Sequence, residues 1–371
     1  MTTFSRASAT AGARTLDTRW YCDPAVFARE NEQIFARSWI VAGRTDEFVD
    51  TGSFKTVEIA GESLIVVRGQ DRALRAFFNV CGHRGTRMCE ERAGRFGGSI
   101  QCPYHAWTYG LDGRLLAARY MDDTPDFALE DYALFAARVA EWGGFVFVSI
   151  GPDAPRFEEA LAPLIGRFAP WRLETLRVAR SIEYEVAANW KLLFQNYSEC
   201  YHCAVIHPQL EKLSPWDSGR NDLHEGAVLG GYSALREGVP RLANDASARF
   251  APLGAVSGED LHRAYYYTIF PTMLLSLQAE YAMAHVIDPL AVDRTRVVCQ
   301  LLFAPGQMAL PDFDASGVAA FWDTTNRQDW HVSELSQRGI ASRAYRPGPY
   351  ARSEGLLEAF DRHYLATMET V

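Results

Sequence analysis

The sequence lacks any apolar run of about 18 residues, the length that a transmembrane helix needs. Its first 14 residues lack the apolar core of a secretory signal. It also lacks an excess of basic residues, because 37 Lys and Arg face 46 Asp and Glu for a net charge of −9. A nucleic-acid surface needs clustered Lys and Arg. These absences predict a cytoplasmic protein that binds neither a membrane nor nucleic acid.

Cysteine is scarce and its count is odd, with seven residues in the chain: Cys22, Cys81, Cys89, Cys102, Cys200, Cys203 and Cys299. Without a secretory signal, this count predicts reduced thiols, and cysteines grouped with histidines indicate metal binding or catalysis rather than disulfides. No Rossmann or flavin glycine pattern appears. Any nicotinamide or flavin chemistry must therefore come from another protein.

The order of patterns along the 371 residues predicts an α+β protein with a small β domain followed by a larger domain. Residues 1–40 form an N-terminal helical segment expected to pack on the larger domain. Residues 41–153 are rich in short strands, with hairpin turns at 69–71 and 112–113. A Gly- and Pro-rich breaker at 151–155 precedes the larger domain, residues 154–371.

The larger domain combines an antiparallel sheet with surrounding helices. Alternating and aromatic runs predict strands at 182–186, 265–270, 273–277, 282–287 and 296–303. Helical patterns cover 189–202, 316–338 and 354–369, the first of them capped by Asn189.

Four potential metal ligands lie in two short loops between predicted strands: Cys81, His83, Cys102 and His105. Each loop offers one thiolate and one imidazole. On residue type alone, structural zinc and an iron–sulfur cluster both remain open, beside the possibility of four unrelated residues. The C-x-H and C-x-x-H order, with 18 residues between the two pairs, resembles the motif of a Rieske [2Fe–2S] cluster. Ala106 stands where that motif often has glycine.

A second group lies on the predicted helix 189–202. At 100° per residue, Gln195, Glu199 and His202 fall within about 60° of one another and form one polar stripe on an otherwise apolar helix. His207 would point about 140° away from His202 if the helix continued. Pro208 disfavours helical geometry at His207, so the helix is expected to end near Val205 and turn His207 back toward His202.

A carboxylate would complete a facial triad of two histidines and one acid, the ligand set of non-haem Fe(II) oxygenases. The helix at 316–338 offers Asp323, Asp329 and Glu334, and only Asp329 falls at the centre of its apolar stripe. A carboxylate that faces a core must be paired or metal-bound. Asp329 is therefore the predicted third ligand, with a buried salt bridge to an arginine as the alternative.

These residues resemble the catalytic subunits of Rieske ring-hydroxylating oxygenases, over nearly the whole chain. The segment Glu199-Cys200-Tyr201-His202-x₄-His207 is similar to their (Asp/Glu)-x-Tyr-His-x₄-His motif, and Gln328-Asp329 to their C-terminal ligand region. The resemblance implies a Rieske cluster that passes electrons to a mononuclear Fe(II), where O₂ is activated. It also implies that Glu199 bridges the two centres across a subunit boundary, from a histidine of the mononuclear site to His105, in a homotrimer. A salt-bridged core residue is the alternative for Glu199.

Within this family the sequence resembles the choline, glycine betaine, carnitine and stachydrine oxygenases, which implies hydroxylation or N-demethylation of a small quaternary ammonium. Aromatic rings bind such cations through cation–π contacts, and the candidates are Tyr265, Tyr266, Tyr267, Phe270, Tyr281 and Trp216. Packing within the sheet is the alternative for each of these rings. Hydroxylation of an aromatic acid is the alternative function, and an NAD(P)H-dependent reductase, with or without a ferredoxin, is the implied partner. An electron-transfer protein and a zinc-stabilised binding module are the alternatives from other classes.

Overall fold

A computed structural model describes residues 3–244 and 250–369. The chain forms two compact units, Asn31–Phe157 and the combination of Met1–Glu30 with Glu158–Val371. The smaller unit begins at Asn31, before the predicted boundary at residue 41. Trp39 illustrates the contacts that residues before this boundary make within the unit. The Trp39 ring packs on Phe157 at 5.3 Å, and its Nε1 donates to the carbonyl of Pro155 at 3.0 Å.

The smaller unit is built from antiparallel strands. Strands β1 to β10 are Ile40–Arg44, Ser53–Ile59, Glu62–Arg68, Leu74–Phe78, Ala93–Arg95, Ser99–Gln101, Thr108–Gly110, Leu115–Ala117, Ala136–Trp142 and Phe145–Ser149. Seven of them form a sheet in the order β1-β10-β9-β4-β3-β2-β5, and β6-β7-β8 form a second sheet. The two predicted hairpins are present as β3–β4 and β7–β8. Gly113 in the second turn has a φ of +86°, a conformation that favours glycine.

The larger unit contains one antiparallel sheet of seven strands in the order β11-β17-β16-β15-β14-β13-β12. Strands β11 to β17 are Arg177–Val186, Arg220–Leu223, Val228–Ala234, Arg263–Ile269, Met273–Leu277, Ala282–Ala291 and Arg294–Phe303. The central strand β15 is buried along its whole length. Such continuous burial requires cover on both faces of the sheet, which explains its near-continuous apolar sequence.

Helices α1 to α9 are Arg19–Cys22, Pro24–Gln33, Phe157–Ala160, Trp190–Tyr197, Cys203–Ile206, Pro208–Leu213, Pro305–Met308, Ser316–Ile340 and Gly355–Glu369. Short 3₁₀ helices are Phe35–Arg37, Thr45–Glu47, Leu129–Tyr132, Ala162–Leu164, Ala169–Trp171, Leu173–Thr175, Trp216–Ser218, Gly258–His262 and Arg352–Glu354. The long helix α8 contacts both α4 and β11, so residues 316–340 pack against the sheet. The predicted α+β class is confirmed. Within residues 3–244 and 250–369, no helix has the length and apolar character needed to cross a membrane.

Candidate metal centres

The four predicted cluster ligands lie close together in the smaller unit. Cys81 and His83 follow β4, and Cys102 and His105 lie between β6 and β7. Both cysteines are 2% exposed, and the centroids of the two imidazole rings are 4.7 Å apart. Burial raises the pKa of the Cys102 thiol, and its hydrogen bond with the Cys81 thiol raises it further. The two loops therefore bring two thiols and two imidazoles into one small space.

Aromatic side chains fix these loops. The Trp107 ring stacks on His83 with centroids 4.8 Å apart and planes 7° from parallel. The Tyr109 hydroxyl lies 3.4 Å from the Cys81 sulfur and accepts the backbone N–H of Gly82 at 3.1 Å. Because both aromatic residues are fully buried, the ligand positions are supported by the core of the unit.

The backbone conformation at Ala106 explains why glycine is common at this position of the motif. Its φ is +56°, in the left-handed region that an L-residue occupies at a cost of about 1–2 kcal/mol. The turn is held by the backbone N–H of Ala106, which donates to the carbonyl of Cys102 at 3.1 Å. The alanine therefore adds local strain without displacing a ligand.

The donor chemistry fits a Rieske cluster. The Nδ1 atom of His83 is buried and has no hydrogen-bond partner in the described part of the chain. Burial lowers the pKa of His83, and the neighbouring His105 and Arg84 lower it further, which favours the neutral imidazole that binds metal. Two thiolates and two neutral imidazoles are the ligands of a Rieske cluster.

The second group does not lie on one continuous helix, and that prediction is wrong. Helix α4 ends at Tyr197, and the next helix, α5, begins at Cys203. The Ser198 hydroxyl donates to the carbonyl of Phe194 at 2.6 Å, and the Glu199 carboxylate accepts the backbone N–H groups of Tyr201 and His202. These side chains bind the backbone groups of the turn and so compete with continued helix formation.

The predicted return of His207 toward His202 is present. Helix α5 ends at Ile206, and His207 leaves helical geometry with φ −116° and ψ 65° directly before Pro208. The two imidazole centroids are 5.1 Å apart.

Asp329 on α8 completes the group. Its Oδ1 lies 3.3 Å from Nε2 of His202 and 2.8 Å from Nε2 of His207. Burial alone would raise the pKa of Asp329, but hydrogen bonds from both histidines outweigh it and lower that pKa. Burial likewise opposes protonation of His202, yet its hydrogen bonds to Asp329 and Glu199 raise the pKa of His202 to about 10. Two imidazole nitrogens and one carboxylate oxygen face one space, which is the donor set that suits Fe(II).

Outer hydrogen bonds orient both rings with Nε2 toward Asp329. Nδ1 of His202 pairs with Oε1 of Glu199, and Nδ1 of His207 pairs with Oε1 of Gln328 at 2.8 Å. These Nδ1 bonds would hold both rings in place when a metal displaces the protons on Nε2. The sequence prediction assigned no role to Gln328, although its place beside Asp329 was a usable signal.

Gln195 does not join this group, contrary to the predicted stripe. Its amide nitrogen donates to the Tyr21 hydroxyl at 2.8 Å and to the Asp361 carboxylate at 2.6 Å. The other oxygen of Asp361 accepts the Tyr350 hydroxyl at 2.6 Å. The end of α4 at Tyr197 breaks the angular relation between Gln195 and Glu199, so Gln195 stabilises a separate buried network.

This network predicts a pH-dependent stability difference. Burial raises the pKa of Asp361 from 3.8 to about 7. The folded chain then binds more protons than the unfolded chain between these values, so the wild type loses stability as the pH rises toward 7. In Asp361→Asn, residue 361 has no proton to lose in this range. We therefore expect the free energy of unfolding of this variant, relative to that of the wild type, to rise by about 2 kcal/mol between pH 5.5 and pH 8.5.

Urea unfolding at the two pH values, followed by tryptophan fluorescence, measures this difference. Asp314→Asn is the control, because Asp314 is an exposed carboxylate whose pKa is lowered, chiefly by the hydroxyl of Ser316. A constant difference between Asp361→Asn and wild type across the pH range would contradict the prediction.

The prediction of seven reduced thiols is also wrong, because Cys200 and Cys203 are joined by a disulfide. Their Cα atoms are 4.9 Å apart, within the range that a disulfide spans. The sequence separation of three residues keeps the two Cα atoms within this range. The remaining described cysteines are free thiols, and Cys89 is 3% exposed.

Comparison with known proteins identifies this pair of centres. Residues 38–129 match the Rieske [2Fe-2S] domain, and residues 173–370 match the catalytic domain of the ring hydroxylating alpha subunit. The chain belongs to the Rieske ring-hydroxylating oxygenases. It is therefore an oxidoreductase whose cofactors are a Rieske [2Fe–2S] cluster and a mononuclear iron.

Similar proteins place this Rieske oxygenase in one branch of the family. It is 31% identical to the glycine betaine monooxygenase oxygenase subunit of Pseudomonas aeruginosa, over 91% of this chain and 85% of that protein. It is 32% identical to the carnitine monooxygenase oxygenase subunit of Escherichia coli K12, over 90% and 86% of the two chains. A crystal structure of a quaternary ammonium Rieske monooxygenase with L-carnitine matches with a TM-score of 0.76 and 26% identity, covering 96% of each chain.

A cavity in the larger unit of this Rieske oxygenase opens onto the His202, His207 and Asp329 group. Of the six aromatic residues considered from the sequence, only Tyr266 and Trp216 line it. Other aromatic residues that line the cavity are Tyr197, Tyr201, Tyr232, Trp322 and Trp330.

Tyr265 and Tyr267, the neighbours of Tyr266 on β14, do not line the cavity, because successive side chains of a strand point to opposite faces of the sheet. Tyr265 packs against Trp171 at 5.3 Å and Tyr267 against Phe168 at 5.0 Å, on the opposite face of the sheet. Phe270 and Tyr281 are also packing residues, against Phe360 at 6.2 Å and Phe303 at 5.6 Å respectively.

His285 on β16 is a cavity residue that the sequence did not reveal. It is 1% exposed, and its Nε2 lies 3.2 Å from the side-chain oxygen of Asn326. Burial lowers the pKa of His285 to about 4, so the ring is neutral at pH 7. A single histidine in an apolar strand carries no motif, and only the fold brings it to the cavity.

Proposed function

We propose that this oxygenase uses O₂ to hydroxylate a small quaternary-ammonium substrate, with N-demethylation where the attacked carbon is an N-methyl group. Cys81, His83, Cys102 and His105 would hold the Rieske cluster. His202, His207 and Asp329 would hold the mononuclear iron. The bound groups together supply the electrons and the O₂-activating metal that hydroxylation needs.

The composition of the cavity carries this proposal. Glu199 and Asp329 are both at its wall, and aromatic residues from several elements surround the same space. A permanent cation without hydrogen-bond donors is attracted by carboxylates and by aromatic faces, and it requires no buried polar partner. The names of the relatives and of the similar crystal structure, which concern betaine, carnitine and quaternary ammonium, agree with this substrate class.

Arg6 adds a second element of recognition. Among the described residues, it is the one Lys or Arg side chain that lines the cavity. Its position is set by the N-terminal segment, where the backbone N–H of Ser5 donates to Asn221 at 2.8 Å and the Phe4 ring packs on Tyr232 at 4.9 Å. The presence of both a guanidinium and carboxylates among the residues that line the cavity suits a zwitterion with a cationic head and a carboxylate tail.

Within this proposal, each protein group has a defined task. Glu199 accepts a hydrogen bond from Nδ1 of His202. In a head-to-tail homotrimer, the Glu199 carboxylate would also connect His202 to His105 of the partner subunit. Gln328 holds the Nδ1 proton of His207. Neutral His285 adds no positive charge next to a cationic substrate. The electrons would come from an NAD(P)H-dependent reductase, with or without a ferredoxin.

The test is substrate-dependent O₂ uptake by the reduced oxygenase with a panel of glycine betaine, carnitine, choline and aromatic acids. Released formaldehyde reports attack on an N-methyl group, and a hydroxylated product reports attack elsewhere. Coupled turnover with a quaternary ammonium is the expected result. Turnover with an aromatic acid alone would overturn the proposal in favour of ring hydroxylation.

The same assay tests the role of Arg6. We expect Arg6→Ala to raise KM about tenfold for the carboxylate-bearing ammonium compounds, the effect of losing one charge-assisted hydrogen bond. KM for choline, which lacks a carboxylate, is expected to be unchanged. Arg14→Ala is the matched control, because Arg14 is an exposed residue of the same segment that donates to the carbonyl of Pro347 outside the cavity. An equal change in KM for choline and betaine would exclude carboxylate recognition by Arg6.

A further inference from the structure

Cys200 and Cys203, which are joined by a disulfide, lie on either side of His202 in the sequence. Both cysteines line the cavity. Cys203 is 3% exposed and Cys200 is half-buried. The sulfur of Cys203 lies 3.8 Å from Nε2 of His202, the ring nitrogen that faces Asp329. A sulfur atom therefore stands on the metal side of the imidazole.

The distances match those of a metal site that includes this sulfur. Donor atoms of His202, Cys203 and His207 all lie within 4.8 Å of one another. Tetrahedral zinc has Zn–N bonds of about 2.0–2.1 Å and Zn–S bonds of about 2.3 Å, which puts nitrogen and sulfur about 3.6 Å apart. The observed 3.8 Å is close to this separation.

We propose that the redox state of Cys200 and Cys203 selects the metal bound at this site. As a disulfide, Cys203 has no thiolate, so the site offers two imidazoles and one carboxylate. When reduced, Cys203 supplies a thiolate that forms one donor group with the imidazoles of His202 and His207. This inference rests on the proposed iron site at His202, His207 and Asp329.

The thiolate changes the metal preference of the site. Soft thiolate ligands favour Zn²⁺ over the metals that prefer oxygen and nitrogen. The reduced site would therefore favour zinc, and the oxidised site would favour iron.

The redox step balances with common reagents. A dithiol reduces the disulfide by giving two electrons and two protons, and it becomes a disulfide itself. A peroxide reverses the change, because both cysteine thiols lose a proton and an electron to form the S–S bond while hydrogen peroxide is reduced to two molecules of water.

Zinc K-edge X-ray absorption of the full-length protein, with its cluster intact and its mononuclear site loaded with zinc, tests this inference. The zinc edge does not report the iron–sulfur cluster. We expect only nitrogen and oxygen neighbours in the oxidised protein, and one sulfur neighbour at about 2.3 Å after reduction with a phosphine. Alkylation of free thiols followed by mass spectrometry fixes the redox state of each sample.

Two variants separate thiolate ligation from loss of the disulfide. Neither Cys200→Ser nor Cys203→Ser can form the bond, but only Cys200→Ser retains the Cys203 thiol. We expect Cys200→Ser to show the sulfur neighbour under all conditions, and Cys203→Ser to show it under none. Zinc affinity, measured by competition with a chelator, is expected to be at least about tenfold higher in Cys200→Ser than in Cys203→Ser. Cys22→Ser, which alters a half-buried thiol outside the cavity, is the control.

The outcomes distinguish this inference from the proposed function. Zinc bound through nitrogen and oxygen alone in both redox states would overturn the redox selection and leave the proposed iron site intact. Failure of the oxidised protein to bind one zinc through His202 and His207 would overturn the proposed iron site as well. Equal zinc affinity in the two cysteine variants would also contradict a ligand role for Cys203.

Discussion

Asp329→Ala is expected to reduce turnover at least about a thousandfold, because a metal contributes several kcal/mol to the reaction and each 1.36 kcal/mol is a factor of ten in rate. Asp329 is the carboxylate that lies beside both His202 and His207, and it is the proposed third iron ligand. Its removal leaves two neutral imidazoles, which hold a divalent cation weakly. Substrate-coupled O₂ uptake and mononuclear iron content measure the effect.

The Rieske signal in electron paramagnetic resonance should be unchanged in Asp329→Ala, because the four proposed cluster ligands lie in the smaller unit. Asp323→Ala is the matched control. It removes a carboxylate from the same helix, where Asp323 accepts the Tyr184 hydroxyl and pairs with Arg327. Asp323→Ala is expected to retain its iron and its turnover. Full iron occupancy and turnover in Asp329→Ala would show that another group completes the site.

The sequence was most informative where a local rule determines geometry. The Pro208 ring forces His207 out of the helix, and this one constraint predicted the approach of the two histidines. The apolar stripe of α8 likewise predicted that Asp329, rather than Asp323, faces the interior. Both inferences use only helical periodicity and the stereochemistry of proline.

Side chains that bind their own backbone limited the prediction. The run from Trp190 to His202 has the composition of one helix, but Ser198 and Glu199 bind backbone groups and end it at Tyr197. Periodicity alone does not reveal such competition, because the same residue types also occur within helices. The predicted stripe that included Gln195 failed for this reason.

Contacts between segments that are distant in the sequence could not be predicted either. Tyr265, Tyr266 and Tyr267 are equivalent in composition, and alternation predicts only that the middle ring opposes the other two. Which face of β14 meets the cavity depends on strands and helices far along the chain, including α8. The same holds for Arg6, whose place in the cavity depends on pairing between Ser5 and Asn221.

A second large effect is expected in stability, at the buried ion pair of Lys191 and Glu30. The Lys191 ammonium lies 2.5 Å from Oε1 of Glu30, and both side chains are fully buried. Burial lowers the pKa of Lys191, and the adjacent Glu30 carboxylate opposes that change. Lys191→Met leaves the carboxylate buried without its cation, which is expected to lower the free energy of unfolding by about 3–5 kcal/mol.

A second substitution tests whether the unpaired charge causes this loss. Glu30 also accepts the indole N–H of Trp190 at 2.9 Å and the Tyr364 hydroxyl at 2.6 Å. The double variant Glu30→Gln with Lys191→Met removes both charges, and the glutamine oxygen can still accept a hydrogen bond from one of these donors. This double variant is therefore expected to recover most of the lost stability. Lys212→Met, at an exposed site on α6, should change it by less than about 0.5 kcal/mol. Urea unfolding measures all three variants. A double variant no more stable than Lys191→Met would show that the unpaired carboxylate does not cause the loss of stability.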